Sequence, residues 1–183
     1  SLDGTEVAAI APGRGEPAGW HTYIAVDDAD VTAAAVPAGG GTVLSPPAEV
    51  GAAGRCAICA DPAGAGFRLW QAGTRRGAQL TNAPGTWNFS DLHTPDPDAA
   101  MAFYRPLFGW RTVDMGFGAG AMIQVPGYGD HLASTVDPGI HERQAGAPAG
   151  FADVIGGLAT GEPAGWRVTF TVADRDGSAA TAE

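Results

Sequence analysis

A segment that recurs after 146 residues constrains this chain more than any other feature. Gly15-Glu16-Pro17-Ala18-Gly19-Trp20 returns as Gly161-Glu162-Pro163-Ala164-Gly165-Trp166. The likeness runs on: His21-Thr22-Tyr23-Ile24-Ala25-Val26 is answered by Arg167-Val168-Thr169-Phe170-Thr171-Val172, and Asp28 and Asp30 by Asp174 and Asp176. Solenoid repeats have periods of about 20–50 residues, so the repeating object here is a whole small domain. At 183 residues the chain holds little more than one period and is expected to start and stop inside domains.

Composition sets the outer bounds. With 45% hydrophobic and 16% charged residues the chain can build a core. All ten basic residues are Arg, and the net charge of −10 leaves nothing to neutralise a phosphate backbone, which argues against nucleic acid. No apolar run approaches the ~20 residues that span a bilayer, and no signal peptide is visible. The expectation is a cytoplasmic protein with no membrane contact. Cys56 and Cys59 form a CxxC, but on a strand two residues three apart face opposite sides, so the sulfurs diverge. Two small buried fillers are expected there, with neither zinc nor a redox pair.

Within the repeat the pattern is strand, helix, strand, strand, strand. Residues 20–26 read as a strand, and Asp27, Asp28 and Asp30 supply the entry to a helix reaching about Val36. Pro37-Ala38-Gly39-Gly40-Gly41 ends it. Residues 42–45 read as a strand stopped by Pro46-Pro47, and 55–60 and 67–71 as two strands joined by the turn Asp61-Pro62-Ala63-Gly64. The order begins again with a strand at 87–93, a helix start at Thr94-Pro95-Asp96-Pro97-Asp98 and apolar residues at helical spacing through Leu107. Further strands are expected at 122–125 and 132–136, and a third copy at 166–172. Residues 6–10 read as the end of an earlier module, 138–165 as a long Pro/Gly-rich connection, and 116–120 as a hairpin or cavity rim. Trp20, Trp87 and Trp166, at equivalent strand starts, read as core.

These residues carry a resemblance. Phe103-Tyr104 with Leu107-Phe108-Gly109-Trp110, and Asp61-Pro62-Ala63-Gly64 before Phe67-Arg68-Leu69-Trp70, resemble motifs of the vicinal-oxygen-chelate superfamily. That superfamily includes glyoxalase I, bleomycin-resistance proteins and extradiol dioxygenases. Residues 20–28, Gly54-Arg55 and Pro84-Gly85-Thr86-Trp87 are similar to actinobacterial tandem glyoxalase-like proteins often labelled "hydroxylase". The fold implied is α+β, with tandem βαβββ modules forming partly closed sheets. Residues 1–81 would be the C-terminal part of a first glyoxalase-like domain, its module near 20 complete, and 82–183 the N-terminal part of a second.

Enzymes of this superfamily hold a divalent metal by His and Glu from the first and last strands of the modules. His21 falls on one such position. The glutamate expected on the last strand aligns with Arg68, which repels a cation. The first-strand His of the next module aligns with Phe89, or with Asn88, and that of the third copy with Arg167. No cofactor is therefore predicted, and His21 remains a lone candidate metal ligand.

Two groups of candidate site residues follow. Arg68, Tyr23 and Trp70 could form a ligand-binding wall, the cation facing an anionic group and the rings packing the remainder. Asp91 and His93 share a face of their strand with Trp87 and Phe89 and are the candidate catalytic pair, suited to general acid–base work. The expected function is small-molecule binding without a complete metal site. The alternative is a metal-dependent lyase or dioxygenase whose ligands come from missing segments or a partner subunit. Superfamily modules pair to complete their cups, so the expected partners are a small molecule and, by such pairing, a second copy in a homodimer.

Overall fold

Aspartates write the helix starts of this chain three times. In the computed structural model, which describes residues 1–11, 18–81, 83–116, 120–135 and 137–182, Asp28 accepts hydrogen bonds from the amides of Asp30 and Val31, both at 2.9 Å, and opens α1 (Ala29–Ala35). Asp96 accepts from Ala99 at 3.0 Å and opens α2 (Pro97–Phe108), with Pro97 where a missing amide hydrogen is harmless. Asp174 accepts from Asp176 and Gly177, at 3.1 and 3.2 Å, at the head of the C-terminal helix (Arg175–Ala182). Each cap is worth about 1 kcal/mol.

The strands sort into two sheets. β1 (Tyr23–Ala25), β2 (Thr42–Glu49), β3 (Gly54–Ala60) and β4 (Gly66–Ala72) lie in the order β1-β4-β3-β2, with β1 parallel to β4. β5 (Thr86–Thr94), β6 (Arg111–Val113), β7 (Ala121–Gln124), β8 (Val154–Thr160) and β9 (Gly165–Thr171) lie in the order β6-β7-β8-β5-β9. β5 is parallel to β8, and β9, which carries the recurring Gly-Trp segment, adds antiparallel to β5. The fold is α+β, built from strand–helix–three-strand modules.

One hydrophobic cluster joins the helix-bearing sides of both sheets. It holds Ile24, Ala33, Val36, Ala57, Cys59, Phe67 and Leu69 from the first module and Leu92, Met101, Phe103, Tyr104, Trp110, Ile123 and Leu158 from the second. Phe67 meets the rings of Phe103 and Tyr104 at 6.1 and 5.7 Å, and Tyr104 stacks on Trp110 at 5.3 Å. Ring pairs of this kind add about 0.5–1.5 kcal/mol each beyond the area they bury. With their helix sides packed together, the sheets turn their other faces outward.

Several local expectations are corrected. β2 runs through Pro46-Pro47, because it is an edge strand whose register shifts between Val43 and Ser45 and again before Ala48; an edge tolerates a missing donor. Residues 128–135 form a helix, α3 (Tyr128–Thr135), instead of a strand over 132–136; of that range Val136 lies outside the described residues. Asp153, far along the chain, accepts from the amides of Gly127 and Gly129 at the start of α3. The stretch 138–165 contains a short helix, α4 (Ile140–Arg143), and all of β8. Residues 6–10 form no strand, and just before them Leu2 and Thr5 form an isolated antiparallel bridge. Trp20 is 55% exposed against Phe170 rather than core, whereas Trp166 packs on the cluster. Residues 12–17 and 117–119, which include part of the repeat and of the glycine-rich segment, lie outside the described residues. No helix among the described residues is long and apolar enough to cross a membrane.

Candidate functional site

Strand alternation builds the first site. On β1, Thr22 just before the strand and Ile24 point to the core at 9% and 8% exposure, so Tyr23 projects to the opposite face, half exposed. On β4, Phe67 and Leu69 are buried, so Arg68 and Trp70 take that same outer face. The β1–β4 ladder pairs Tyr23 with Arg68, and the Arg68 Cζ lies 5.6 Å from the centre of the Tyr23 ring. Tyr23 meets Trp70 edge to face at 6.1 Å and 81°. The Trp70 indole donates to the Arg75 carbonyl at 2.9 Å, which fixes its ring. The three residues predicted to form a wall are thus brought together.

The structure adds two neighbours that sequence reasoning missed. Cys56 pairs with Trp70 across β3–β4, and Ile58 pairs with Arg68, so both lie on this face. The signal was present in the turn. With Ala60 opposite Gly66 around Asp61-Pro62-Ala63-Gly64, counting back places Ile58 at Arg68 and Cys56 at Trp70. Cys59 falls on the other side, wholly buried, and burial pushes its thiol up to about 11. The two sulfurs of the CxxC therefore serve opposite faces.

The second sheet presents Asp91 and His93 on its corresponding face, both half-buried. Asp91 Oδ1 accepts the amide hydrogen of Gly157 at 2.6 Å. Trp87 leaves this face: the register shifts between Trp87 and Phe89, and its indole donates to Ser90 Oγ at 3.2 Å, a residue of the opposite face.

The helix caps settle which residues correspond. Asp28 and Asp96 are 68 residues apart, as are the buried partners Ile24 and Leu92, so the counterpart of His21 is Phe89 rather than Asn88. His21 is exposed ahead of β1, with Arg68 where the carboxylate of a metal site would be needed. Among the described residues, no three of His, Cys, Asp or Glu stand close enough together to hold a metal ion. The donors among the described residues do not by themselves make up the His and Glu set that the resemblance implies.

No sequence-family profile matches the chain. It is 37% identical over 188 residues to CFP32 of Mycobacterium tuberculosis, a protein with a proposed glyoxylase name; the match covers all of this chain and 65% of that one. The anthracycline biosynthesis protein DnrV of Streptomyces peucetius is 39% identical over 132 residues, covering 63% of this chain and 48% of DnrV. Among solved structures, the Mn(II)-bound glyoxalase of Novosphingobium aromaticivorans aligns with a TM-score of 0.44 and 21% identity over 55% of this chain and 36% of that chain. The chain thus spans less than two thirds of the length of the relatives it matches.

Proposed function

This chain belongs to the glyoxalase-like proteins of the vicinal-oxygen-chelate superfamily, and from that premise we propose that it binds a small, flat, anionic organic molecule on the helix-free face of its first sheet. The observation that carries the reading is the convergence of Tyr23, Arg68 and Trp70 on that face. Arg68 faces a carboxylate or enolate, with a charge-assisted bond of about 1.5–3 kcal/mol. Tyr23 and Trp70 give the flat body of the ligand an aromatic edge and face, and Ile58 adds apolar floor. Relatives named for anthracycline biosynthesis agree with a ring-bearing ligand. Binding of this kind needs no metal.

The test is titration calorimetry and tryptophan fluorescence with benzoate, naphthoate and anthraquinone carboxylates, each beside its neutral amide. The carboxylates are expected to bind better than the amides, and Arg68→Ala to weaken them by roughly tenfold or more. An Arg68→Ala protein that binds every carboxylate as tightly as wild type sinks the proposal. Elemental analysis of protein purified without chelator runs alongside. Near-stoichiometric divalent metal, with thermal stabilisation on adding it, would install the metal-dependent lyase or dioxygenase reading instead.

A further inference from the structure

The two modules carry equivalent outer faces with opposite chemistry. Ile24 pairs with Leu69 and Leu92 with Leu158, so the positions beside them correspond: Tyr23 to Asp91, Arg68 to Gly157 and Trp70 to Ala159. Where the first sheet raises a cation and two aromatic rings, the second has a carboxylate over a floor of small residues. A β-carbon at Gly157 would come within 2.7 Å of Asp91 Oδ1, and one at Gly161 within 3.0 Å of His93 Nδ1. Gly165, the cross-strand partner of His93, has open space where a side chain would stand. Glycine inside a strand weakens it, and is kept where something must approach the backbone closely.

Arg167 completes the arrangement. It is the cross-strand partner of Asp91 in the antiparallel β5–β9 ladder, so both side chains project from one face with β-carbons about 4.5–5.5 Å apart. Opposite charges so placed usually join, but these two do not: Asp91 turns one carboxylate oxygen to the Gly157 amide on β8, and Arg167 is exposed. An anionic and a cationic group therefore stand side by side on a low floor, fixed on one side by a backbone hydrogen bond and not neutralised by each other.

We propose that this face is a second binding site, and that it takes a zwitterion of the α-amino-acid class, its ammonium on Asp91 and its carboxylate on Arg167. The two charged groups of such a ligand lie only a few ångströms apart, in keeping with the cross-strand spacing. His93, lying over Gly161, closes one end of the site, and the open space at Gly165 receives the ligand's side chain. The site shares no residue with the wall on the first sheet, so each can fail without the other.

The experiment is titration of the whole chain, at low ionic strength, with phenylalanine, lysine and glycine and with their N-acetyl and carboxamide derivatives. The parent amino acids are expected to bind, and blocking either charged end to weaken binding by roughly tenfold. Asp91→Asn keeps an oxygen for the Gly157 amide while removing the charge, and Arg167→Gln changes an exposed residue, so both are expected to fold and each to lose roughly tenfold in affinity. Blocked derivatives that bind as well as their parents, variants that bind like wild type, or no binding by any parent at millimolar concentration would each overturn the proposal.

Discussion

Tyr104 donates its hydroxyl hydrogen to Asp61 Oδ2 at 3.1 Å, and the Tyr104 hydroxyl oxygen in turn accepts the indole hydrogen of Trp166 at 3.1 Å. Three segments meet in this bond: the β3–β4 turn, helix α2 and strand β9. Asp61 uses its other oxygen for the amides of Ala63 and Ala65, so the turn is held by the residue that also receives the helix. Tyr104 is wholly buried, and burial together with the Asp61 charge pushes its hydroxyl far above the usual tyrosine range.

Removing that hydroxyl leaves a buried carboxylate oxygen and a partly buried indole donor without their partner. Tyr104→Phe is expected to cost about 1–3 kcal/mol. The urea midpoint should fall while the slope of the transition stays at the wild-type value. An unchanged midpoint would mean that the bond contributes nothing net.

Gly41 lies where α2 presses on the first module. A β-carbon there would stand 2.7 Å from the Phe103 ring and 2.8 Å from the Ala60 carbonyl oxygen. Gly41→Ala is expected to destabilise by about 1–3 kcal/mol, as overpacking does. Gly19→Ala, with nothing within 4 Å, should stay within about 0.5 kcal/mol of wild type. Equal midpoints for the two variants would refute the close approach.

Alkaline pH should unfold this protein through its buried acids. The Cys59 thiol moves from 9.0 to about 11 on folding, so between those values the unfolded chain loses a proton that the folded one keeps. Stability conferred by the neutral thiol is complete below pH 9 and falls as pH rises toward 11, by on the order of 2 kcal/mol. Tyr104, also raised, extends the loss above pH 10. Denaturation midpoints measured from pH 8 to 11 should decline, and Cys59→Ala should flatten the first part of that decline relative to its own value at pH 8.

The thiols should separate by face. Cys56 is half-buried beside Trp70, whereas Cys59 is fully buried. In the native protein a small disulfide reagent is expected to modify Cys56 and spare Cys59 until unfolding. An aromatic carboxylate bound on the first face should slow Cys56 labelling. Labelling at an unchanged rate with saturating ligand would place that ligand elsewhere.

Much of the fold could be read in residues that act locally. The aspartate caps at 28, 96 and 174, the Pro97 start and the turn after Asp61 each need only neighbours a few residues away. What was misread depends on distant partners. Gly156 and Gly157 make β8 look like a connection, because the reason for them is elsewhere: a β-carbon at 156 would come within 2.1 Å of the Ser90 carbonyl oxygen, and Gly157 serves Asp91. The start of α3 is held by Asp153, more than twenty residues along the chain. The prolines of β2 are tolerated only because the sheet order leaves that strand on an edge.

The candidate sites divide in the same way. Period-two alternation by itself puts Arg68 with Trp70, and Asp91 with His93, on one face of their strands, since the direction of a side chain on a strand is a local property. Only the tertiary structure decided that β1 lies parallel to β4 with Tyr23 opposite Arg68, that Cys56 and Ile58 share their face, and that Arg167 stands across from Asp91. Strand order and register come from packing whole surfaces together, and no stretch of chain contains the information for both sides of a ladder.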